Sequence, residues 1–383
     1  MAKPVSTRTT LRRAIAGETA MPFFQTYEAS LTASTGSTTS KIINSSLTQE
    51  DDYWKGSWIY VSSDTATGNA GAVRKIIRFM ETDNALLPEY ALPSAASTGT
   101  SFELHTTFSP FETHRAINRA IQEGFPAFYE IVTDESMVVE EDKLEYDISN
   151  LSYDPWIMSA VYIEQGDNVK SGQIISADSV SFTDSSADLS AVGTDWMCSI
   201  YDGTSKGVLR TVQSVDTAVG KVTVSTGGAS SDNFSTTPDT TSKYKLWDTS
   251  EQETEWYRMT ALRFDKPEFP SKMYLIKNPS GAYGMRFRFV YAAQPAELVA
   301  DSDETVVPKE YIINRAVEIL AASRIASTRA DREKYSYMEQ MARTKADQFR
   351  EKNSFRMPTT IWQESDPNGP HAVFEENPLE WNK

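Results

Sequence analysis

The chain has 383 residues, of which 39% are hydrophobic, and a formal net charge of -16. This length and hydrophobic content exclude an intrinsically disordered protein and predict two or three domains. The negative charge is spread along the sequence, so binding to free nucleic acid or to an anionic membrane is unfavourable. The single cysteine, Cys198, excludes an intrachain disulfide framework and is typical of a protein that folds in a reducing cytoplasm.

Residues 1–28 predict an N-terminal arm that is the one clearly basic patch in an acidic sequence. It carries Arg8, Arg12 and Arg13, and residues 7–15 have the pattern of a short helix. The arm is either a solvated terminus or a segment that binds an acidic partner surface. We therefore take the three arginines as candidate interface residues.

Residues 29–107 predict a first small all-β module, rich in Ser, Thr and Gly, with strands at 58–61, 72–79 and 98–104. A capping box at Ser109 and Glu112, with proline between them at the first helical position, then predicts a helix within residues 108–135. Gly124 and Pro126 predict that this helix ends or kinks near Gln122.

Residues 136–250 predict an acidic linker followed by a second β-module. Residues 71–79 and 207–215 resemble each other, with Gly and Arg in register. An aromatic strand precedes each stretch, at 58–61 and 196–201, and a short strand closes each module, at 101–104 and 243–246. We interpret this pattern as a degenerate internal repeat of one β-module, which favours a scaffold over a single catalytic pocket.

Residues 251–298 predict strands and a hairpin that joins 271–277 to 284–291 across the turn at 278–281. The second of these strands alternates apolar residues with Arg286 and Arg288, so one face is predicted to be buried and the other basic. Residues 299–352 predict one long helix beginning at Pro308. Its apolar pattern is weaker from Ser327 onward, where we expect the helix to break or to contact a neighbouring subunit.

Residues 353–383 are proline-rich and predict an extended C-terminal tail. The predicted fold class is α+β: a long-helix frame, formed by residues 112–125 with residues 308–352, carries the two repeated β-modules and the hairpin between an N-terminal arm and this tail. The tail aromatics and the two strand arginines join the candidate interface residues, which are Arg286, Arg288, Trp362, Phe374 and Trp381.

The sequence predicts no catalytic, cofactor-binding or metal-binding residue. His105, His114 and His371 are far apart in the chain, and Cys198 lies in a strand pattern typical of an inert buried thiol. Residues 140–142 are interpreted as a solvated acidic face and residues 301–304 as a stabilising charge at the start of the long helix. The aromatic residues of the β-modules favour core or interface positions over sugar stacking; these are Tyr53, Trp54, Trp58 and Trp196.

The order of these parts resembles virion proteins of the head-to-tail adaptor (connector) class of tailed bacteriophages. The stretches that carry the resemblance are 116–122 and 286–322, which include the sequence from Gln294 to Tyr311. The adaptor pattern is mostly a helical bundle with one small β element, and the two β-modules of this chain depart from it.

The resemblance implies a non-enzymatic structural virion protein that is assembled in the host bacterial cytoplasm. It implies a homo-oligomeric ring, commonly of twelve subunits, between the portal protein and the next neck or tail protein. Genomic DNA would pass through the ring without specific binding, and no membrane would be involved. Two alternatives stay open from the sequence: a carbohydrate-binding tail-fibre or baseplate protein, and a polysaccharide hydrolase with paired carboxylates.

Overall fold

A computed structural model describes residues 5–20, 27–64, 68–165, 167–194, 196–224, 233–249, 255–266, 269–277, 279–325 and 331–355. The fold mixes helices and sheets, as the sequence predicted. The chain divides into two compact units, one formed by residues 1–130 with 295–356 and the other by residues 131–294. Among the described residues, no helix has the length and hydropathy needed to cross a membrane.

The described part of the chain contains four α-helices and a single 3-10 turn at Ser280–Ala282. The helices are α1 (Arg8–Ala20), α2 (Pro110–Gly124), α3 (Lys309–Ile325) and α4 (Arg332–Asn353).

Twenty-three short strands account for the β-structure of the described residues. The strands in the first 150 residues are β1 (Ser6–Thr7), β2 (Glu28–Thr32), β3 (Ile42–Ile43), β4 (Trp58–Ser63), β5 (Val73–Met80), β6 (Ala85–Pro88), β7 (Ser101–His105), β8 (Glu130–Asp134) and β9 (Glu145–Asp147). The remaining strands are β10 (Pro155–Gln165), β11 (Asp167–Gln173), β12 (Ser176–Ala177), β13 (Ser181–Thr183), β14 (Met197–Asp202), β15 (Val208–Thr211), β16 (Ser214–Asp216), β17 (Lys221–Thr223), β18 (Lys243–Asp248), β19 (Glu255–Arg258), β20 (Leu262–Phe264), β21 (Lys272–Leu275), β22 (Phe287–Ala293) and β23 (Glu304–Thr305).

The strands form six sheets. The first β-module is a six-stranded sheet with the order β2-β7-β4-β5-β6-β3, and β1 pairs separately with β23. The second β-module consists of two four-stranded sheets, β11-β18-β14-β15 and β12-β13-β17-β16. Two further sheets, β19-β10-β22-β8 and β20-β21-β9, complete the unit formed by residues 131–294.

Helix α2 begins where the capping box was predicted. The hydroxyl of Ser109 accepts a hydrogen bond from the backbone N–H of Glu112, and the Glu112 carboxylate accepts one from the Ser109 N–H. These two bonds satisfy backbone donors that the first helical turn leaves free. The helix ends at Gly124, two residues beyond the predicted end at Gln122.

The prediction of one unbroken helix over residues 308–352 is wrong: two helices, α3 and α4, pack against each other. Ser327, from which a break was expected, lies between them in the sequence. Their apolar stripes lie in one core, with Ile312 and Leu320 on α3 and Met338 and Ala346 on α4. A continuous helix of this length would extend for ~65 Å and leave both stripes exposed. Folding the helices together buries them instead.

The predicted N-terminal arm is also wrong in its main feature. Its residues form β1 and the thirteen-residue helix α1, whose Leu11 and Ile15 are buried in the same core as α2 and α3. The arm is therefore part of the helical core, because its apolar residues recur at helical spacing and find a hydrophobic partner surface within the chain.

The predicted hairpin between 271–277 and 284–291 does not form. Strand β21 pairs with β20 and β9, whereas β22 pairs with the eleven-residue strand β10. The buried side chains of β22, such as Phe287 and Phe289, face a large apolar strand partner in β10, which explains the different pairing. The predicted alternation within β22 is confirmed, since these phenylalanines are fully buried and Arg288 is partly exposed.

The first and second β-modules share their strand order over four strands. The order β2-β7-β4-β5 in the first matches β11-β18-β14-β15 in the second. The residues that face one another across three of these strands are Arg74, Ile59 and Leu104 in the first module and Arg210, Cys198 and Leu246 in the second. A register shift also falls at the same step, between Val61 and Ser63 and between Ile200 and Asp202.

The turns before β5 and β15 have the same backbone conformation and the same hydrogen bond. Gly71 and Gly207 have φ of +81° and +85°, a backbone conformation that favours glycine. Each donates its N–H at 2.8 Å to a carbonyl of the preceding strand, that of Val61 or that of Ile200.

The two modules also agree in segments that showed no similarity in sequence. Strand β3 pairs with β6 as β13 pairs with β17, and the residue after each strand donates its N–H across a turn. The distances are 3.0 Å from Asn44 N to Asn84 O and 2.8 Å from Asp184 N to Gly220 O.

A substitution at Leu320 tests whether the α2–α3–α4 core is buried as described. Its side chain is 3% exposed, so Leu320→Asp would bury an unpaired carboxylate and lower the free energy of unfolding by roughly 4 kcal/mol or more. Ala322→Asp introduces the same group at an exposed position of α3 and should change stability by less than about 0.5 kcal/mol. Urea unfolding measures both; equal effects would contradict the burial of Leu320.

Candidate functional site

The first candidate site is a network of buried charges centred on Arg12 of α1, which is 0% exposed. Its guanidinium binds Glu103 of β7 with two parallel hydrogen bonds, 3.0 Å from Nε to Oε2 and 3.1 Å from NH2 to Oε1. NH1 donates to Asp301 Oδ1 at 2.7 Å. A planar guanidinium can hold two carboxylates in this way because its donors form a rigid fork.

Glu103 is also fully buried and accepts more bonds than those from Arg12. Arg13 Nε lies 2.7 Å from its Oε1, and His105 Nε2 lies 3.0 Å from its Oε2. Burial alone would raise the pKa of Glu103, but the hydrogen bonds from His105, Arg12 and Arg13 outweigh it and hold that pKa well below its usual range. Glu103 is therefore a permanent anion at neutral pH.

Asp301 brings a third part of the chain into the network. It accepts from Arg8 Nε at 3.1 Å in addition to Arg12, and its second oxygen accepts from the Tyr60 hydroxyl at 2.8 Å. The Arg12 guanidinium lies 4.0 Å from the centre of the Tyr60 ring, close enough for a cation–π contact. The acidic run at 301–304, predicted to stabilise the start of the following helix, thus contributes Asp301 to α1 instead.

His114 of α2 completes the network. Its Nε2 lies 3.1 Å from Arg12 NH1, and since a guanidinium has no acceptor, this nitrogen must accept the bond. Burial and the neighbouring positive charges of Arg8 and Arg12 lower the pKa of His114 to about 4. His114 is neutral at physiological pH, and protonation would place two positive charges side by side.

The charged groups of this network bind one another. Every charged member has a partner of opposite charge or a hydrogen-bonding neighbour within the unit, and the bonds connect α1, β7, β4, α2 and the segment before β23. Of the two alternatives for the basic arm, a solvated terminus is excluded for Arg12, and the acidic groups that bind the arm lie in the same chain. The prediction of Arg12 as a surface contact is wrong because its side chain is enclosed, while Arg13 remains partly exposed.

The second candidate site lies on β22, where Arg286 and Arg288 were predicted to form a basic face. Arg286 Nε binds Glu164 Oε2 at 2.6 Å, and Arg288 Nε binds Glu135 Oε1 at 2.7 Å. The Arg288 guanidinium also lies 3.8 Å from the centre of the Trp256 ring. Both arginines are thus neutralised by carboxylates of the same unit, which leaves this face without a net basic patch.

The other predicted site residues have different outcomes. Trp362, Phe374, Trp381 and His371 lie outside the described residues. Trp54 and Trp196 are buried, so their rings are not available to stack on a sugar. Glu140 is buried and paired with Lys143, which corrects the prediction of a fully solvated acidic face at residues 140–142.

The prediction for Cys198 is confirmed: it is buried in β14 and burial raises its thiol pKa to about 12. Within the described ranges, no three His, Cys, Asp or Glu side chains converge as metal ligands would. Sequence reasoning did not identify Glu103, Asp301 or Tyr60 as partners of α1. The available signal was a charged residue, Glu103, flanked by apolar strand residues, which marks a buried ion that needs a counter-ion.

Comparisons with family models, with curated proteins and with solved structures found no match for this chain.

Arg12→Leu should lower the free energy of unfolding by about 3 to 5 kcal/mol, because it leaves the buried Glu103 without its bidentate partner. Arg119→Ala, which removes an exposed partner of Glu123 within α2, serves as the control and should cost less than about 1 kcal/mol. Denaturant unfolding of both variants measures the difference. A loss for Arg12→Leu as small as that for Arg119→Ala would show that the network does not stabilise α1.

Stability should fall as the pH drops from about 6.5 to 4, because unfolded His114 binds a proton in this range and folded His114 does not. The loss attributable to this group is roughly 2 to 3 kcal/mol. Below that range the depressed pKa values of Glu103 and Asp301 add a second loss as these carboxylates are protonated. His114→Gln should reduce the loss of stability in unfolding curves measured at pH 7.5, 5.5 and 4, leaving the part that comes from the lowered pKa of the buried His105; an unchanged pH profile would argue against a neutral buried His114.

Proposed function

We propose that this chain is a non-enzymatic structural virion protein that forms a ring between the portal and the tail of a tailed bacteriophage. The observation that carries the proposal is the make-up of the unit formed by residues 1–130 and 295–356. Helices from widely separated stretches share one hydrophobic core, and one small β-module belongs to the same unit. This composition is similar to the adaptor pattern, a helical bundle with one small β element.

The two stretches that carry the resemblance also contact each other in this unit, through residues 295–322 of the second stretch. Asn118 of α2 accepts a hydrogen bond from the backbone N–H of Leu298 at 3.0 Å and donates one to the Leu298 carbonyl at 3.2 Å. Two ion pairs also join α2 to α3: Arg315 binds Glu123, and Arg324 binds Glu112. The segment before α3 and the helix α2 therefore form one packed element, which supports reading them together as an adaptor signature.

We further propose that the two β-modules are copies of one structural module carried by this helical frame. The supporting observations are the shared strand order, register, register shift and glycine turn. The copies differ on the outer face of the sheet, which is the face that points away from the module's own hydrophobic core and is covered by another segment. Where the first module has Tyr60 and Glu103, the second has Ser199 and Lys245, and Ser199 donates to the carbonyl of Gly284 at 2.6 Å.

In this proposal each module presents its outer sheet face to another segment of its own unit. Glu103 binds α1 in the first module, and the second module binds the segment at Gly284. A module that is used twice to bind another segment is typical of a scaffold protein.

An acidic surface along the channel of the proposed ring would repel DNA phosphates and let the duplex slide without specific contacts.

The proposed partners are further copies of the chain, the portal protein and the next neck or tail protein, in a virion assembled in the host cytoplasm. Negative-stain images of the purified protein, alone and mixed with its portal ring, test this proposal. Rings in either condition are expected, since a heterologous contact between identical subunits closes into a ring. Monomers in both conditions would contradict it.

A further inference from the structure

Helix α4 exposes a narrow stripe that combines lysines with large apolar side chains. At 100° per residue, six exposed residues fall within an arc of about 80°. They are Lys334, Tyr337, Met341, Lys345, Gln348 and Lys352, here called the α4 stripe. Tyr337 is 67% exposed and Met341, one turn later, is 43% exposed.

The α4 stripe contains no carboxylate of its own. The acidic residues of α4 project outside the arc; they are Glu333, Glu339, Asp347 and Glu351. One carboxylate outside the helix, that of Asp331, lies 3.5 Å from Lys334. The stripe is thus a basic and apolar strip on a protein whose net charge is -16, so it suits an acidic, aromatic partner.

Residues 357–383 of the same sequence have that composition. They contain five carboxylates and two basic residues, His371 and Lys383, which gives a net charge of -4 with the histidine neutral. Each large aromatic residue has a carboxylate within two positions: Trp362 with Glu364, Phe374 with Glu375, and Trp381 with Glu380. Aromatic rings can pack on the Met341 thioether and the Tyr337 ring while the neighbouring carboxylates face lysines.

We propose that residues 357–383 of a second copy of this chain bind the α4 stripe. The choice of a second copy rests on the ring proposed above: a stripe on one subunit and a tail from the next make a heterologous contact, the kind that closes into a ring. The 27 residues span at most about 97 Å when extended. Individual exposed ion pairs contribute little, so the contact depends on several aromatic and charged groups acting together.

Two full-length variants each disrupt one side of this contact, either the α4 stripe or the tail. The stripe variant carries Met341→Asp and Lys345→Glu; the tail variant carries Trp362→Ser, Phe374→Ser and Trp381→Ser. The control variant carries Arg332→Glu and Ser336→Asp, which add the same negative charge to α4 at exposed positions outside the stripe. Circular dichroism melting curves serve as the folding control, and the comparison uses these variants on the condition that they unfold at the wild-type temperature.

Sedimentation velocity then measures self-association. We expect the wild type and the control to associate and each of the other two variants to associate at least about tenfold more weakly. An equimolar mixture of the stripe and tail variants should form a 1:1 dimer, because one supplies an intact tail and the other an intact stripe. A mixture that stays monomeric, or a stripe variant that associates like the wild type, would overturn the proposal.

A disulfide test distinguishes a second copy from the same copy. The native Cys198 is buried, so cysteines placed by Met341→Cys and Trp381→Cys in one chain react without competition from it. Oxidation should link separate chains into oligomers on a non-reducing gel. Links confined to single chains would place the tail on its own stripe and refute the second-copy assignment.

Negative-stain images test ring formation separately from tail binding. If wild-type protein and the tail variant form the same rings in negative stain, tail docking fails and the ring function stands. If the two variants form the 1:1 dimer while the wild type forms no ring with its portal, docking stands and the ring function fails.

Discussion

The ion pair between Arg12 and Glu103 is the interaction on which the unit formed by residues 1–130 and 295–356 depends. Both side chains are fully enclosed, so each would carry a large desolvation cost without the other. The bidentate geometry, with Asp301 as second carboxylate, offsets that cost only if α1 lies in one position along β7. Apolar contacts such as those of Leu11 and Ile15 would tolerate a sliding helix. The charges therefore define the register of α1, whereas the hydrophobic core supplies most of the stability.

Local signals in the sequence predicted local structure well, and long-range pairing poorly. The capping box at Ser109, the alternation in β22 and the buried thiol of Cys198 depend on neighbours within a few residues, and all were predicted. The fold-back of α4 onto α3, the pairing of β22 with β10 and the counter-ions of Arg12 depend on residues far away in sequence. Nothing in a basic N-terminal segment reveals that its acidic partners, Glu103 and Asp301, lie about 90 and 290 residues further along the same chain.

The two β-modules show which part of a small β-fold is constrained by its own packing. Positions that face the interior keep apolar residues of different shapes: Ile59 corresponds to Cys198, Phe102 to Tyr244 and Ile42 to Phe182. The glycine turn is retained in both because its positive φ disfavours a side chain. The two modules thus share apolar core positions and a glycine turn together with their strand order, although few residues are identical.

The outer sheet faces of the modules, by contrast, carry opposite charges at the same position. Glu103 in the first module attracts Arg12, whereas Lys245 occupies the corresponding position in the second, where burial lowers its pKa to about 8. If α1 were placed on the second module, Arg12 would face a lysine in a poorly solvated site, and like charges in such a site repel strongly. The two modules share their strand order over four strands, so strand order alone does not determine which of them the helix binds. The exchange of a glutamate for a lysine therefore provides the selectivity that the common strand order cannot.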